Sequence, residues 1–91
     1  MKLLIRYFAP FDDLSGSKQE NLTVDKASIT VNELIEMLSN KYSKLKAYVS
    51  TTSDEALRRH MIVAIGTRIA HLEDAVHDGD NIKILPTISG G

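Results

Sequence analysis

The last two residues of the sequence, Gly90 and Gly91, are the strongest candidates for chemistry in this chain. Because glycine lacks a Cβ atom, an extended glycine pair can enter a channel in another protein's active site that is too narrow for larger residues. Such a channel would bring the α-carboxylate of Gly91 to the α-phosphate of ATP. Adenylation turns this poor acyl donor into a mixed anhydride that sulfur or an amine can attack. We therefore take Gly91, with Gly90 and Ser89 before it, as the candidate reactive tail.

The other polar residues match no catalytic or metal-binding pattern. The sequence contains no nucleophile elbow, no zinc-protease helix motif and no phosphate-binding glycine loop. It contains no cysteine, which excludes a disulfide scaffold, a thiolate zinc site and a cysteine nucleophile. We interpret the clustered acidic and histidine residues as solvated or turn-forming: Asp12, Asp13, His60, His71, Glu73, Asp74, His77, Asp78 and Asp80. The sequence therefore predicts no metal and no cofactor bound by this chain.

Length and charge also narrow the possible functions. A chain of 91 residues is expected to form one domain, and a deep substrate cavity would remove much of its small core. This favours function at a surface or a chain end over an enzyme with its own pocket. The net charge of −1 argues against nucleic acid as the main partner. The sequence shows no signal peptide and no apolar run of the ~20 residues that cross a membrane, so we expect a cytoplasmic protein.

The first half of the chain predicts two strands followed by a helix. Residues 2–8 and 20–25 have strand patterns, and residues 10–19 carry the polar, proline and glycine residues of a loop. Thr30 and Glu33 have the spacing of a capping box at a helix start. Apolar residues then follow at helical spacing: Val31, Leu34, Ile35, Leu38 and Tyr42.

The second half predicts short elements and a final strand. Thr52 and Glu55 have the spacing to cap a short helix that ends at His60. The later elements expected are a strand at 61–65, a turn at 66–67, a return strand at 68–69, a loop with a helical turn at 71–77, a turn at 78–80 and a strand at 81–86.

This element order predicts an α+β fold in which a mixed sheet of four to five strands packs on one main helix. If the first and last strands are central neighbours, Arg6 and Lys83 lie on the same exposed face, because side chains alternate along a strand. Phe8 and Leu85 then share that face. Two large apolar side chains among cations indicate a patch for a partner, although apolar residues scattered singly on a surface are common.

Several motifs in order along the chain resemble one family. They are Tyr7-Phe8-Ala9, Gly16, Val31-x-x-Leu34, Val63-Ala64-Ile65, Leu72, Asp78-Gly79-Asp80 and the ending Leu85-Pro86-Thr87-Ile88-Ser89-Gly90-Gly91. Together they resemble the small, sulfur-carrying subunit of molybdopterin synthase, whose fold is similar to ubiquitin. The resemblance implies a β-grasp domain over residues 1–86 and a flexible tail over residues 87–91.

The resemblance also implies partners and a reaction sequence. A ubiquitin-activating-like adenylyltransferase would use ATP and Mg²⁺ to adenylate Gly91, and a sulfur donor protein would convert the adenylate to a thiocarboxylate. The tail would then enter the large catalytic subunit, within a heterotetramer, and donate sulfur for the dithiolene of molybdopterin. The chain itself would be the non-catalytic subunit. Phe8, Ile69 and Leu85 match the apolar residues that this family presents to its partners.

Two departures from the family pattern leave the partners open. Asp12 stands where an arginine is common, and the segment 45–60 is longer than in the shortest members. The alternatives are a ubiquitin-like modifier joined to lysines, a sulfur carrier for transfer RNA, a carrier for thiamine or cysteine synthesis, and an interaction module whose glycines are incidental.

Overall fold

The computed structural model describes residues 1–87. Seven strands and four helices occur in this range. The strands are β1 (Lys2–Tyr7), β2 (Gln19–Thr23), β3 (Ser28–Thr30), β4 (Met61–Ile65), β5 (Arg68–Ile69), β6 (Ala75–His77) and β7 (Asn81–Pro86). The helices are α1 (Phe11–Ser15), α2 (Val31–Lys41), α3 (Ser43–Lys46) and α4 (Asp54–Arg58). Among these residues no helix has the length and apolar character needed to cross a membrane.

The main sheet has five strands in the order β2-β1-β7-β4-β5, and β3 pairs with β6 in a second, two-stranded sheet. β1 and β7 are parallel, whereas the other neighbouring pairs are antiparallel. The first and last strands are therefore central neighbours, as the sequence predicted. A mixed sheet of five strands with one long helix is the β-grasp arrangement, so the predicted α+β fold is confirmed.

Alternation along β1 and β7 decides which side chains enter the core. Leu3, Ile5 and Tyr7 of β1 are buried, as are Ile82 and Ile84 of β7. They form one cluster with the apolar residues of α2, namely Val31, Leu34, Ile35 and Leu38. Full burial of a side chain of this size is worth about 1.5–3 kcal/mol. The sheet and α2 thus hold each other through one face, and the opposite face of the sheet remains outside the core.

The predicted capping box at the start of α2 is confirmed. The Glu33 N–H donates to Thr30 Oγ1 at 3.1 Å, and the Thr30 N–H donates to Glu33 Oε1 at 3.2 Å. The latter bond, from the Thr30 backbone, lowers the pKa of Glu33 below its usual value. This contribution to stability is present above the unfolded-state pKa and is lost as pH falls through the folded-state pKa.

Two segments predicted as loops contain regular structure. Residues 10–19 include the helix α1, in which Phe11 is fully buried and packs edge-on against Tyr48 at a centroid distance of 6.3 Å. Residues 71–77 include β6, in which Val76 is buried opposite Ile29 of β3. In both cases an apolar residue gains burial against a distant part of the chain, and this tertiary gain overrides the local loop signal.

The cap of α4 differs from the prediction by one residue. Ser53, rather than Thr52, is the N-cap, and its Oγ accepts from the Ala56 N–H at 3.0 Å. We expect Ser53→Ala to lower the free energy of unfolding by about 1 kcal/mol, the usual value of a lost cap. Thr52→Ala, the matched control, is expected to change it by less than ~0.5 kcal/mol. Urea denaturation of both variants measures the difference, and equal losses would contradict the assignment of the cap.

Candidate functional site: the tail root and the exposed sheet face

The predicted tail residues Ser89, Gly90 and Gly91 lie outside the described residues. The structure instead defines the place from which the tail departs. Pairing of β7 with β4 extends to Met61 and Pro86, and Thr87 follows. The Thr87 hydroxyl donates a hydrogen bond to the carbonyl oxygen of Arg58 at 2.9 Å. We call Pro86 and Thr87 the tail root.

The strand register brings the predicted surface residues to one face. Arg6 pairs with Lys83 across β1 and β7, and the Phe8 N–H continues this register by donating to the Ile84 carbonyl at 3.0 Å. Phe8 is 38% exposed and Leu85 is half-buried. The expectation that Phe8 and Leu85 share the outer face of the sheet is therefore confirmed.

Ile69 and Ile62 extend this apolar surface toward β5. Ile62 pairs with Leu85, and Ile69 pairs with Ala64, which in turn faces Lys83. Ile69 is 53% exposed and therefore lies at the surface and not in the core. We call Phe8, Ile62, Ile69 and Leu85 the apolar patch.

A shallow depression joins the apolar patch to the tail root. Its volume is ≈ 410 Å³, and it is lined by Ile62, Ile69, Leu85, Pro86 and Thr87. Sequence reasoning missed Ile62, because a continuous apolar run such as 61–65 is the pattern of a buried strand. The strand alternation of Ile62 with the buried residues Met61 and Val63 is the signal that could have found it.

The charged residues at outward positions of the strands beside the apolar patch are of one sign. Lys2, Arg6 and Lys83 occupy outward positions of β1 and β7, and Arg6 lies 5.8 Å from the centre of the Phe8 ring. Within residues 1–87, no Asp or Glu occupies an outward position on the five strands of this sheet. The strands of this face thus combine large apolar side chains with a cationic surround, and Asp12 of α1 is the acidic residue that lies near Phe8.

The predicted turn Asp78-Gly79-Asp80 is confirmed, and both of its carboxylates accept hydrogen bonds from backbone N–H groups. Asp78 Oδ1 accepts from the Lys2 N–H at 2.6 Å, and Asp80 Oδ2 accepts from the His77 N–H at 2.8 Å. Gly79 adopts a φ of 85°, in the region that favours glycine. The Asp78 contact joins the turn before β7 to the start of β1, and the Asp80 contact closes the turn.

Asp74 also has a structural role. Asp74 accepts from the His71 N–H at 2.9 Å and from Arg68 at 3.0 Å, and these contacts, the His71 bond first, lower its pKa. Over the described range 1–87, no three His, Asp or Glu side chains come together as a group that could hold a metal ion. His60 is exposed, as expected.

A partly buried polar cluster lies on the opposite side of the sheet, between β2 and α2. Glu20 accepts from the hydroxyls of Tyr7 and Tyr42, and Lys41 lies 3.5 Å from it. Burial, and then the Glu20 charge, raises the pKa of Tyr7 far above its ordinary value. Burial likewise raises the pKa of Tyr42. Both tyrosines therefore remain neutral hydrogen-bond donors near neutral pH, and their bonds to Glu20 hold β2 against β1 and the end of α2.

Comparison with known proteins identifies the family. The sequence model of the ThiS family matches residues 5–91, which is nearly the whole chain. The chain belongs to the ThiS family. The resemblance to ubiquitin-like sulfur carriers that the motifs predicted is thereby confirmed.

Three proteins similar to this ThiS-family chain have different descriptions. It is 28% identical over 95 residues to small archaeal modifier protein 3 of Haloferax volcanii, covering 100% of both chains. It is 32% identical over 76 residues to a candidate sulfur carrier protein of Archaeoglobus fulgidus, covering 80% of this chain and 86% of that one. A candidate molybdopterin converting factor, subunit 1, of Pyrococcus furiosus superposes with a TM-score of 0.81 at 26% identity, covering 97% of this chain and 99% of that structure. The chain is thus a member of the family of small sulfur carriers and ubiquitin-like modifiers.

Proposed function

We propose that this protein is a sulfur carrier whose Gly91 becomes a thiocarboxylate and donates sulfur for dithiolene formation in molybdopterin. The protein binds no cofactor of its own. Its partners are an adenylyltransferase that uses ATP and Mg²⁺, a sulfur donor protein and the large catalytic subunit of molybdopterin synthase. With that subunit it forms a heterotetramer.

The chemistry requires one reactive group from this chain. A carboxylate oxygen of Gly91 attacks the α-phosphorus of ATP, and pyrophosphate leaves. A hydrosulfide equivalent from the donor protein then attacks the acyl carbon, and AMP leaves. The thiocarboxylate that remains is a sulfur nucleophile. Gly90 and Gly91 suit this role because neither carries a Cβ atom that would meet the wall of a narrow channel.

The observation that carries the proposal is the position of the tail root at the rim of the apolar patch. β7 runs through the centre of the sheet and ends at Pro86, beside Ile62 and Leu85. A partner that binds the patch therefore receives the chain that leads to Gly91 at the edge of the same contact. The family membership and the likeness to a candidate molybdopterin converting factor support the same function.

The cationic surround predicts the charge of the partner surface. We expect an apolar socket bordered by carboxylates, because complementary charges steer association. Lys83→Gln should lower the association rate about threefold to tenfold at low ionic strength, and the difference should shrink as salt screens the charges. Lys44→Gln, on the exposed surface of α3, is the matched control. Stopped-flow binding to the adenylyltransferase measures both rates, and equal rates for the two variants would contradict an acidic partner surface.

The mass of the untagged protein from its own cells tests the proposal. A fraction of the protein should be heavier by the difference between sulfur and oxygen, and the added mass should map to Gly91. Methionine oxidation adds a similar mass, but the tryptic peptide 84–91 contains no methionine. The added mass in peptide 84–91 would therefore identify the thiocarboxylate, whereas an unmodified peptide under every growth condition would reject it.

A second candidate function is protein modification. The likeness to small archaeal modifier protein 3 extends over the full length of both chains and favours it. In this case an amine of a target lysine attacks the acyl-adenylate of Gly91, and an isopeptide bond forms. Trypsin would then leave lysines that carry the branched remnant 84–91. Such peptides without a thiocarboxylate would replace the sulfur-carrier proposal with this one.

A further inference from the structure

The segment 45–60 is the part of the chain that the proposed function does not use, and it contains α4. A helix of five residues is too short to be stable alone, so its contacts with the rest of the protein hold it. Leu57 is 2% exposed within the core, and Asp54 Oδ1 accepts from the Leu72 N–H at 2.7 Å. The Arg58 guanidinium donates to the Ala70 carbonyl at 3.4 Å. α4 is thus a fixed support next to β5.

The end of α4 meets the tail root. Arg58 is the last residue of the helix, and the carbonyls of the last helical turn have no acceptor role within the helix itself. The Thr87 hydroxyl donates a hydrogen bond to the Arg58 carbonyl oxygen at 2.9 Å. Thr87 is half-buried, so water competes for this bond only in part.

The Thr87 hydrogen bond holds the chain beyond the point at which the pairing of β7 with β4 ends. The register of β7 with β4 ends at Pro86, whose nitrogen has no hydrogen to donate. The hydrogen bond of Thr87 to α4 therefore fixes the direction of the chain one residue beyond the sheet. Gly91 follows Thr87 by four residues, a span of at most about 14 Å. The Gly91 carboxylate therefore lies within this distance of the point that Thr87 fixes.

We propose that Thr87 is a positioning residue, held by α4, that aims the tail for insertion into the activating enzyme; this rests on the proposed function. Holding the root in the free protein lowers the ordering needed when the tail enters the partner. Loss of the Thr87 hydrogen bond should raise the KM for this chain. It should leave kcat nearly unchanged, because the walls of the channel hold the tail once it has entered. The segment 45–60 then has a role of its own, which is to support the tail root.

The test compares Thr87→Val, which removes the hydroxyl at nearly constant shape, with Thr87→Ser, which retains it. Pyrophosphate release by the adenylyltransferase with ATP and each chain gives kcat and KM. We expect Thr87→Val to raise KM about threefold to tenfold, the range for loss of one hydrogen bond, with kcat within about twofold. Thr87→Ser should restore KM, and Thr52→Val, at an exposed site outside the sheet, should leave it unchanged. An unchanged KM for Thr87→Val, or no rescue by serine, would overturn the proposal.

A second measurement separates this proposal from the proposed function. The NMR order parameter of the Thr87 amide should be about 0.85 in the wild type and in Thr87→Ser, and should fall toward ~0.6 in Thr87→Val. If the wild-type chain releases no pyrophosphate, the proposed function fails. The order parameter still decides whether α4 holds the tail root, and equal values in all three chains would reject that hold.

Discussion

A chain extended by a single alanine beyond Gly91 is expected to lose at least about 100-fold in the rate of pyrophosphate release. The reason is that the carboxylate of Gly91 becomes part of a peptide bond, and the new carboxylate lies about 3.5 Å further along the chain. A displacement of 1 Å can already cost a factor of about 100 when a reacting group must be aligned. The assay is release of pyrophosphate from ATP in the presence of the adenylyltransferase.

The control is the same protein before and after removal of a cleavable extension. Cleavage that regenerates Gly91 as the last residue should restore the full rate. The melting temperature should differ by less than about 1 °C between the two forms, because the core cluster ends at Ile84 and the extension begins beyond the tail root. An extended chain that is activated at the wild-type rate without cleavage would show that the carboxylate of Gly91 is not the reacting group.

Gly91→Ala tests the separate claim that the tail enters a narrow channel. It keeps the carboxylate in its place and adds one Cβ atom. If the channel is narrow, this variant should also lose most of the rate. A wild-type rate for Gly91→Ala together with a loss for the extended chain would mean that the position of the carboxylate matters and the width of the residue does not.

Local patterns predicted the parts of the fold whose causes are local. The capping box of Thr30 and Glu33 placed the start of α2 because both hydrogen bonds join residues three apart. Alternation in β1 and β7 placed Phe8 and Leu85 on the outer face because the side-chain period of a strand is two. The shared face then followed once the first and last strands were taken as neighbours.

The features that sequence reasoning missed depend on residues far apart in the chain. Phe11 is held in a helix by burial beside Tyr48, and β6 exists because Val76 pairs with Ile29. Local propensity cannot report such pairs. The contact between Thr87 and Arg58 spans 29 residues and joins two segments that carry no motif for it. The contact between the tail root and α4 therefore could not be predicted from the sequence.

The apolar patch leads to the second prediction with a large effect. Phe8→Ala should weaken binding to the adenylyltransferase about 10-fold to 100-fold, the range expected for an aromatic residue at the centre of an interface. The loss arises from the apolar area of the ring that the partner would cover. The cation–π contact with Arg6, 5.8 Å from the ring centre, lies within this chain and is present before binding, so it contributes to holding the ring and not to the contact with the partner. Titration calorimetry with the adenylyltransferase measures the dissociation constant.

The stability of the variant decides whether Phe8 is a surface residue. The side chain is 38% exposed, and the Phe8 backbone is held by its own hydrogen bond to the Ile84 carbonyl. Truncation should therefore lower the free energy of unfolding by less than about 1 kcal/mol. A variant that unfolds would instead place Phe8 in the core and contradict the orientation of β1.

Met37 provides the matched control for Phe8. Its side chain is 37% exposed, almost the same fraction, but it lies on α2, and the sheet separates it from the apolar patch. If exposed apolar area alone drives association, Met37→Ala should weaken binding as much as Phe8→Ala. If the outer face of the sheet is the docking surface, Met37→Ala should leave the dissociation constant unchanged. The second result is expected, because the tail root lies beside the apolar patch and a partner bound to α2 would not receive the tail.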